Sequence, residues 1–166
     1  RKELTCKDAR LRELECELPR ELPASPSDHQ FLAHHIFVVD NSGSMKKCDV
    51  KLAGGGEQQR SEAVRNVVLH SCLQTWLSSG ATPNERVSLI KLEAGTARMP
   101  FALFPLEGPL SMRMQIALSG EPQGHGPYLP ALKSLLELCE LAEPYLKDSA
   151  YTQVLFLTDG KPSDRM

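Results

Sequence analysis

Asp40, Ser42 and Ser44 stand at alternate positions in the stretch DNSGS, directly after the apolar run HHIFVV. A carboxylate and two hydroxyls at two-residue steps offer oxygen donors only. Gly43, between the serines, lets the backbone bend sharply. A second apolar run, VLFLT, ends in the same manner at Asp159 and Gly160. If the two runs are neighbouring strands, both aspartates face one crevice at the carboxyl ends of the strands. That is where open α/β sheets hold their ligands. Oxygen-only donors suit a hard cation, Mg²⁺, Mn²⁺ or Ca²⁺, rather than zinc. A plain strand-to-loop turn capped by Ser and Asp would also explain DNSGS alone. The matching aspartate at 159 favours the cation.

Other chemistries find less support. The cysteines Cys6, Cys16, Cys48, Cys72 and Cys139 are widely spaced and form no C-x-x-C pair, which argues against a zinc knuckle. Cys72 and Cys139 fall in helical apolar patterns and read as small core residues. His34 and His35 are adjacent on a strand, so they point to opposite faces and suit structural roles. His29 and His70 read as solvent-facing, and His125 is the histidine nearest the expected crevice. LAGGGEQQ lacks the Gly-Lys-Ser/Thr ending of a phosphate loop. A Mg²⁺-dependent phosphatase of the haloacid dehalogenase type would need an acid two residues after Asp40, and Ser42 stands there. Lys161 falls at the crevice rim, where it is either solvated or in contact with an acidic partner.

The elements that must position these oxygens follow from periodicity. Residues 1–18 are charged, with Leu4, Leu11, Leu14 and Leu18 as a near-heptad stripe, and read as a helical segment of an upstream region. Residues 19–30 carry Pro19, Pro23 and Pro26 and read as a stiff linker. The domain then occupies residues 31–166. HHIFVVD is strand one, buried on both faces. KKCDVKLAGGGEQQ is expected to be a loop. Val64, Val68, Cys72 and Trp76 recur every fourth residue and mark a helix capped by Ser61 and stopped at Gly80. RVSLIKL is strand two. Only EAGT separates it from RMPFALFPL, too few residues for a parallel crossover, so the pair is an antiparallel hairpin. Pro100 and Pro105 place its second member at a sheet edge. PLSMRMQIAL is a short helix, LPALKSLLELCELAEPYL a strong one with Pro130 in its first turn, and YTQVLFLTDG the last strand. The fold class is α/β: a Rossmann-like, doubly wound, mostly parallel sheet with one antiparallel edge strand and helices on both faces.

With both motifs in place, the chain resembles the von Willebrand factor A (vWA) family over about residues 33–166. DNSGS is similar to that family's D-x-S-x-S motif and FLTDG to its second aspartate motif. The wording of both is most like the intracellular branch, found in multidomain proteins. The resemblance implies a metal-ion-dependent adhesion site, with Ser42 and Ser44 on the ion and Asp40 and Asp159 acting nearby or through water. A partner's acidic side chain would complete the coordination. It implies a protein-binding module and no enzyme. The family's threonine before the third helix is missing: Gly126 falls at that position, with His125 and Tyr128 as possible substitutes. The alternative is therefore a metal-independent scaffold of the same fold. The chain stops seven residues after Asp159, so the resemblance also implies a domain incomplete at its C-terminus.

Composition narrows the partners. The 166 residues carry a formal net charge of -2 and are 41% hydrophobic, enough for one packed domain. The balance offers no electrostatic footprint for nucleic acid or an anionic membrane. No apolar run reaches the ~18 residues of a membrane helix. The cysteine usage suits a reducing, cytoplasmic setting. The first residue is Arg1, so a leader is neither shown nor excluded.

Overall fold

A computed structural model of the protein describes residues 30–80 and 84–160. The expected 1–18 helix, the linker apart from Gln30, Cys6, Cys16, His29 and Lys161 lie outside the described residues. The strands are β1 (Phe31–Asp40), β2 (Cys48–Lys51), β3 (Glu57–Gln59), β4 (Glu85–Glu93), β5 (Thr96–Pro105) and β6 (Leu146–Leu157). Helix α1 is continuous through α-helical Arg60–Asn66, π-helical Val67–Leu73 and α-helical Gln74–Ser78. Helices α2 (Gly108–Ala117) and α3 (Tyr128–Ala142) follow.

The main sheet has the order β5-β4-β1-β6. β1 pairs in parallel with β4 and with β6, and β4 pairs antiparallel with β5. The unbroken apolarity of β1 follows from its central place: nine of its ten residues are buried. α1 and α2 cover one face, over Phe37, Val39, Val87 and Leu89. α3 covers the other, over Ile36, Val38, Ile90 and Leu92. Successive strand residues thus feed two cores through one sheet. No helix among the described residues is long and apolar enough to cross a membrane.

The hairpin expected at β4–β5 forms around Ala94 and Gly95, both with positive φ (51° and 83°), as a tight primed turn requires. β5 lies at the sheet edge and carries a bulge. Phe104 faces Val87 and Phe101 faces Leu89, so two residues stand opposite Ser88. Leu103, at φ 52°, loses its ladder bond there and donates its N–H to Ser88 Oγ at 2.8 Å. His34, fully buried, meets the same hydroxyl at 2.8 Å. His35 stacks on Trp76 (centroids 4.2 Å apart) and bonds Gln153 and Glu85, so both histidines are structural.

Three expectations need correction. The polar stretch after Ser44 is not all loop: β2 and β3 form a small antiparallel hairpin turning at Gly55 and Gly56, both of positive φ. Such short polar strands have no alternation to betray them. Ser61 is not the cap of α1; Gln59 is, and Ser61 lies inside the helix. The last strand begins at Leu146, not Tyr151, because its first residues reach back to pair Leu146 with Phe31 past an irregularity.

Candidate metal centre

Asp40 ends β1 and is 1% exposed. Its Oδ1 accepts the Ser42 N–H at 2.8 Å, and its Oδ2 accepts the Thr158 hydroxyl at 3.0 Å. Thr158 has one hydroxyl proton and gives it to Asp40. Its oxygen therefore accepts from the Tyr128 hydroxyl and, at 3.2 Å, from the Gly160 N–H. Both carboxylate oxygens of Asp40 are thus oriented by donors from β1's own loop and from the end of β6. The 3-10 turn Gly43–Lys46 follows. It brings the Ser42 and Ser44 hydroxyls to 3.0 Å from each other.

The loop before α3 is sewn to this turn. Gln123 N–H donates to Asn41 O, and Gly43 N–H donates to Gly124 O, both at 2.9 Å. Gly95 N–H donates to His125 O at 2.9 Å. Gly126 is thereby pressed onto the site: a Cβ there would lie 2.8 Å from Asp40 Oδ1 and 3.1 Å from Ser42 Cβ. Any side chain there would have to displace the Asp40 carboxylate. Of the two suggested substitutes for the missing threonine, Tyr128 joins the network through Thr158, while the His125 side chain is exposed.

Asp159 follows β6, with its side chain 3% exposed, and its Oδ2 accepts from Arg60 Nη1 at 2.8 Å. Arg60 opens α1 and also grips Asp49 of β2, through Nε at 2.7 Å and through Nη2. The bond to Arg60 holds the Asp49 carboxyl below its usual range. Asp49 first, then Asp159, raises the guanidinium further above its own. Behind this group lies a cavity of about 270 Å³ bordered by Met45, Val50, Ala63, Val64, Arg60 and Asp159.

A second polar cluster supports the turn from β4. Glu93 accepts from Asn41 Nδ2 (3.1 Å), pairs with Lys91 (3.1 Å) and accepts from Arg98 (3.0 Å). Burial pushes the Glu93 carboxyl up, but Lys91, Asn41 and Arg98 outweigh it and hold the group below its usual range. The structure therefore joins Asp40, Ser42 and Ser44 in one turn, and ties Asp159 to them through its neighbour Thr158. Sequence reasoning missed Thr158, Arg60 and Glu93. Thr158 had a signal, a hydroxyl inside FLTDG. Arg60 had none, lying in a polar stretch.

The donor chemistry fits a hard cation. The two serine hydroxyls are hydrogen-bonded to each other at 3.0 Å, a separation that is also about that of adjacent oxygens on an octahedral Mg²⁺ with bonds of 2.0–2.1 Å. Among the described residues no three His, Cys, Asp or Glu side chains converge, so any ion here leans on those hydroxyls. Arg60 stands as a cation already at Asp159.

No family model matches the chain. No curated protein matches it either. Solved structures do share its fold. The pilus adhesin SpaC from Lactobacillus rhamnosus GG superposes with a TM-score of 0.61 at 21% identity, over 82% of this chain and 16% of that one. An uncharacterized membrane spanning protein from Vibrio fischeri gives 0.53 at 19% identity, over 67% of this chain and 51% of that one. The SpRpn10 VWA domain gives 0.42 at 8% identity, over 77% and 90%, a similarity too slight to argue from. The chain spans about half of one of these proteins and a far smaller share of the adhesin. What it has in common with the adhesin and the Vibrio fischeri protein is the fold alone.

Proposed function

We propose that this domain is a protein-binding module whose crevice at the ends of β1 and β6 presents a divalent cation, Mg²⁺ or else Mn²⁺ or Ca²⁺, to a partner's carboxylate. Ser42 and Ser44 would hold the ion. Asp40 and Asp159 would orient the site and balance its charge. The bound cation would supply an open coordination position for an acidic side chain, and no covalent chemistry is called for. The observation that carries the reading is the 3.0 Å pair of serine hydroxyls beside the doubly hydrogen-bonded Asp40. The resemblance of DNSGS and FLTDG to vWA motifs supports it, as does the placing of such ligand sites at strand ends. A cytoplasmic place within a larger multidomain protein belongs to the same proposal.

Titration calorimetry with Mg²⁺ and Mn²⁺ tests it, comparing the wild type with Ser42→Ala/Ser44→Ala. Binding by the wild type that the double variant loses is the expected result. A folded wild type that binds neither ion would leave the second reading, a metal-independent scaffold. Two observations favour that alternative: the closeness of Gly126 to Asp40, and Arg60 seated on Asp159.

A further inference from the structure

We infer that Arg60 is the resident counter-cation of Asp159, and that a divalent ion gains Asp159 only in exchange for it. The exchange would couple the crevice to the β2–β3 hairpin. The inference rests on the metal-binding reading above. A carboxylate oxygen that accepts a guanidinium N–H at 2.8 Å has its charge already compensated. A second cation approaching the same group meets the repulsion of the first. Arg60 must therefore leave Asp159, in whole or in part, before that carboxylate serves an ion. An open pocket of about 270 Å³ borders both residues, so there is free space beside the guanidinium.

The hairpin is held chiefly through α1, which β3 enters directly at Arg60. Three of the four residues of β2 are exposed, and Val50 is the half-buried one. A two-stranded ribbon is marginal by itself. Its described ties to α1 include the fork of Arg60 on Asp49, the Arg60 N–H to Lys47 O at 3.0 Å and the Ser61 hydroxyl on Gln59 Oε1 at 3.3 Å. One side chain thus links Asp159 at the end of β6 to Asp49 in β2. Nη1 serves Asp159 while Nε and Nη2 serve Asp49, and because the guanidinium is one rigid plane, turning it away from Asp159 also turns the fork off Asp49.

The test uses the intact chain and Mn²⁺ as the probe, with affinity read by calorimetry and the hairpin read by amide hydrogen exchange over residues 48–60. Arg60→Gln removes the competing charge, and Mn²⁺ should then bind about tenfold more tightly, the equivalent of one charge-assisted hydrogen bond. Arg60→Lys, which keeps the charge but not the fork, should give a smaller gain in the same direction. In the wild type, Mn²⁺ should speed exchange in the hairpin. That arm needs no variant, so the inference stays open to refutation if Arg60→Gln fails to fold. Equal or weaker Mn²⁺ binding by folded Arg60→Gln, or hairpin exchange indifferent to bound Mn²⁺, would overturn the exchange while leaving the metal site standing. Absence of Mn²⁺ binding in both proteins would overturn the site and the exchange together.

Discussion

At the scale of single residues, one glycine sets how near the loop before α3 comes to the crevice: a Cβ on Gly126 would lie 2.8 Å from Asp40 Oδ1. DNSGS alone reads equally as a capped turn, and it is the matching aspartate at 159 that singles out Asp40, Ser42 and Ser44 in the sequence. Arg60 is invisible in the sequence, since only the fold of the β2–β3 hairpin brings it to Asp159. Gly126 reads in the sequence as a lost threonine, but in space it is a contact. A side chain there would push against Asp40 Oδ1 at 2.8 Å. Gly126→Thr should therefore not repair the site. It should lower stability by about 2 kcal/mol, in the range of overpacking, and displace Asp40; a urea midpoint shifted down at unchanged slope would register it. His34 makes a separate case. Burial foremost, and then His35, lower its pKa from 6.5 to about 4. The unfolded chain thus takes up the proton first. Stability is whole above pH 6.5 and falls as the pH drops from there toward 4, by roughly 3 kcal/mol in all. His34→Leu should flatten the dependence in that window, as measured by denaturant unfolding at a series of pH values.

At the scale of elements, periodicity located what packs and missed what does not. β1, β4, β5 and β6 showed as apolar runs because each faces at least one core. β2 and β3 did not, because their side chains are mostly in water. The strict fourfold recurrence of Val64, Val68, Cys72 and Trp76 carried a signal that passed unread. In an α-helix each four-residue step drifts by ~40°, and the wider π-helical turns of Val67–Leu73 bring the stripe back to the core. β4 holds a further dependence of site on element. Its carboxyl end presents Lys91 and Glu93, both buried, with Glu93 bonded to Asn41 inside the DNSGS turn. Glu93→Gln would leave the Lys91 ammonium without its charged partner. The expected loss is about 3–5 kcal/mol, as for a broken buried pair. Replacing both, as Lys91→Met/Glu93→Gln, should cost less than the single change. Thermal unfolding of the three proteins checks the order, and a double variant no more stable than Glu93→Gln would count against it.

At the scale of the whole molecule, one sheet serves two cores, and that arrangement decides how the domain comes apart. Leu89 and Ile90 are sequence neighbours on β4, both fully buried, one under α1 and α2 and the other under α3. Their side chains share no cavity, because the sheet lies between them. Truncating each to Ala should cost about 2–5 kcal/mol, the transfer term plus the cavity left behind. If the two cores were independent units, each variant would unfold one helical layer first, and a helix probe and the Trp76 signal would part company. The sheet forbids this. Neither layer can leave without stripping β4 and β1 of half their burial, so a loss on either face is felt as a loss of the same strands. The expected outcome for Leu89→Ala and for Ile90→Ala is therefore a single transition, with fluorescence of Trp76 and far-ultraviolet circular dichroism coinciding. The double variant should then show the two losses added to within about half a kcal/mol, as for residues that do not touch. Non-coincident transitions in Ile90→Ala, with the half-buried Trp76 on the opposite face still packed, would mean that the α3 layer melts by itself. In that event the crevice, which takes Tyr128 from α3 and Asp40 from β1, would be lost before the rest of the fold.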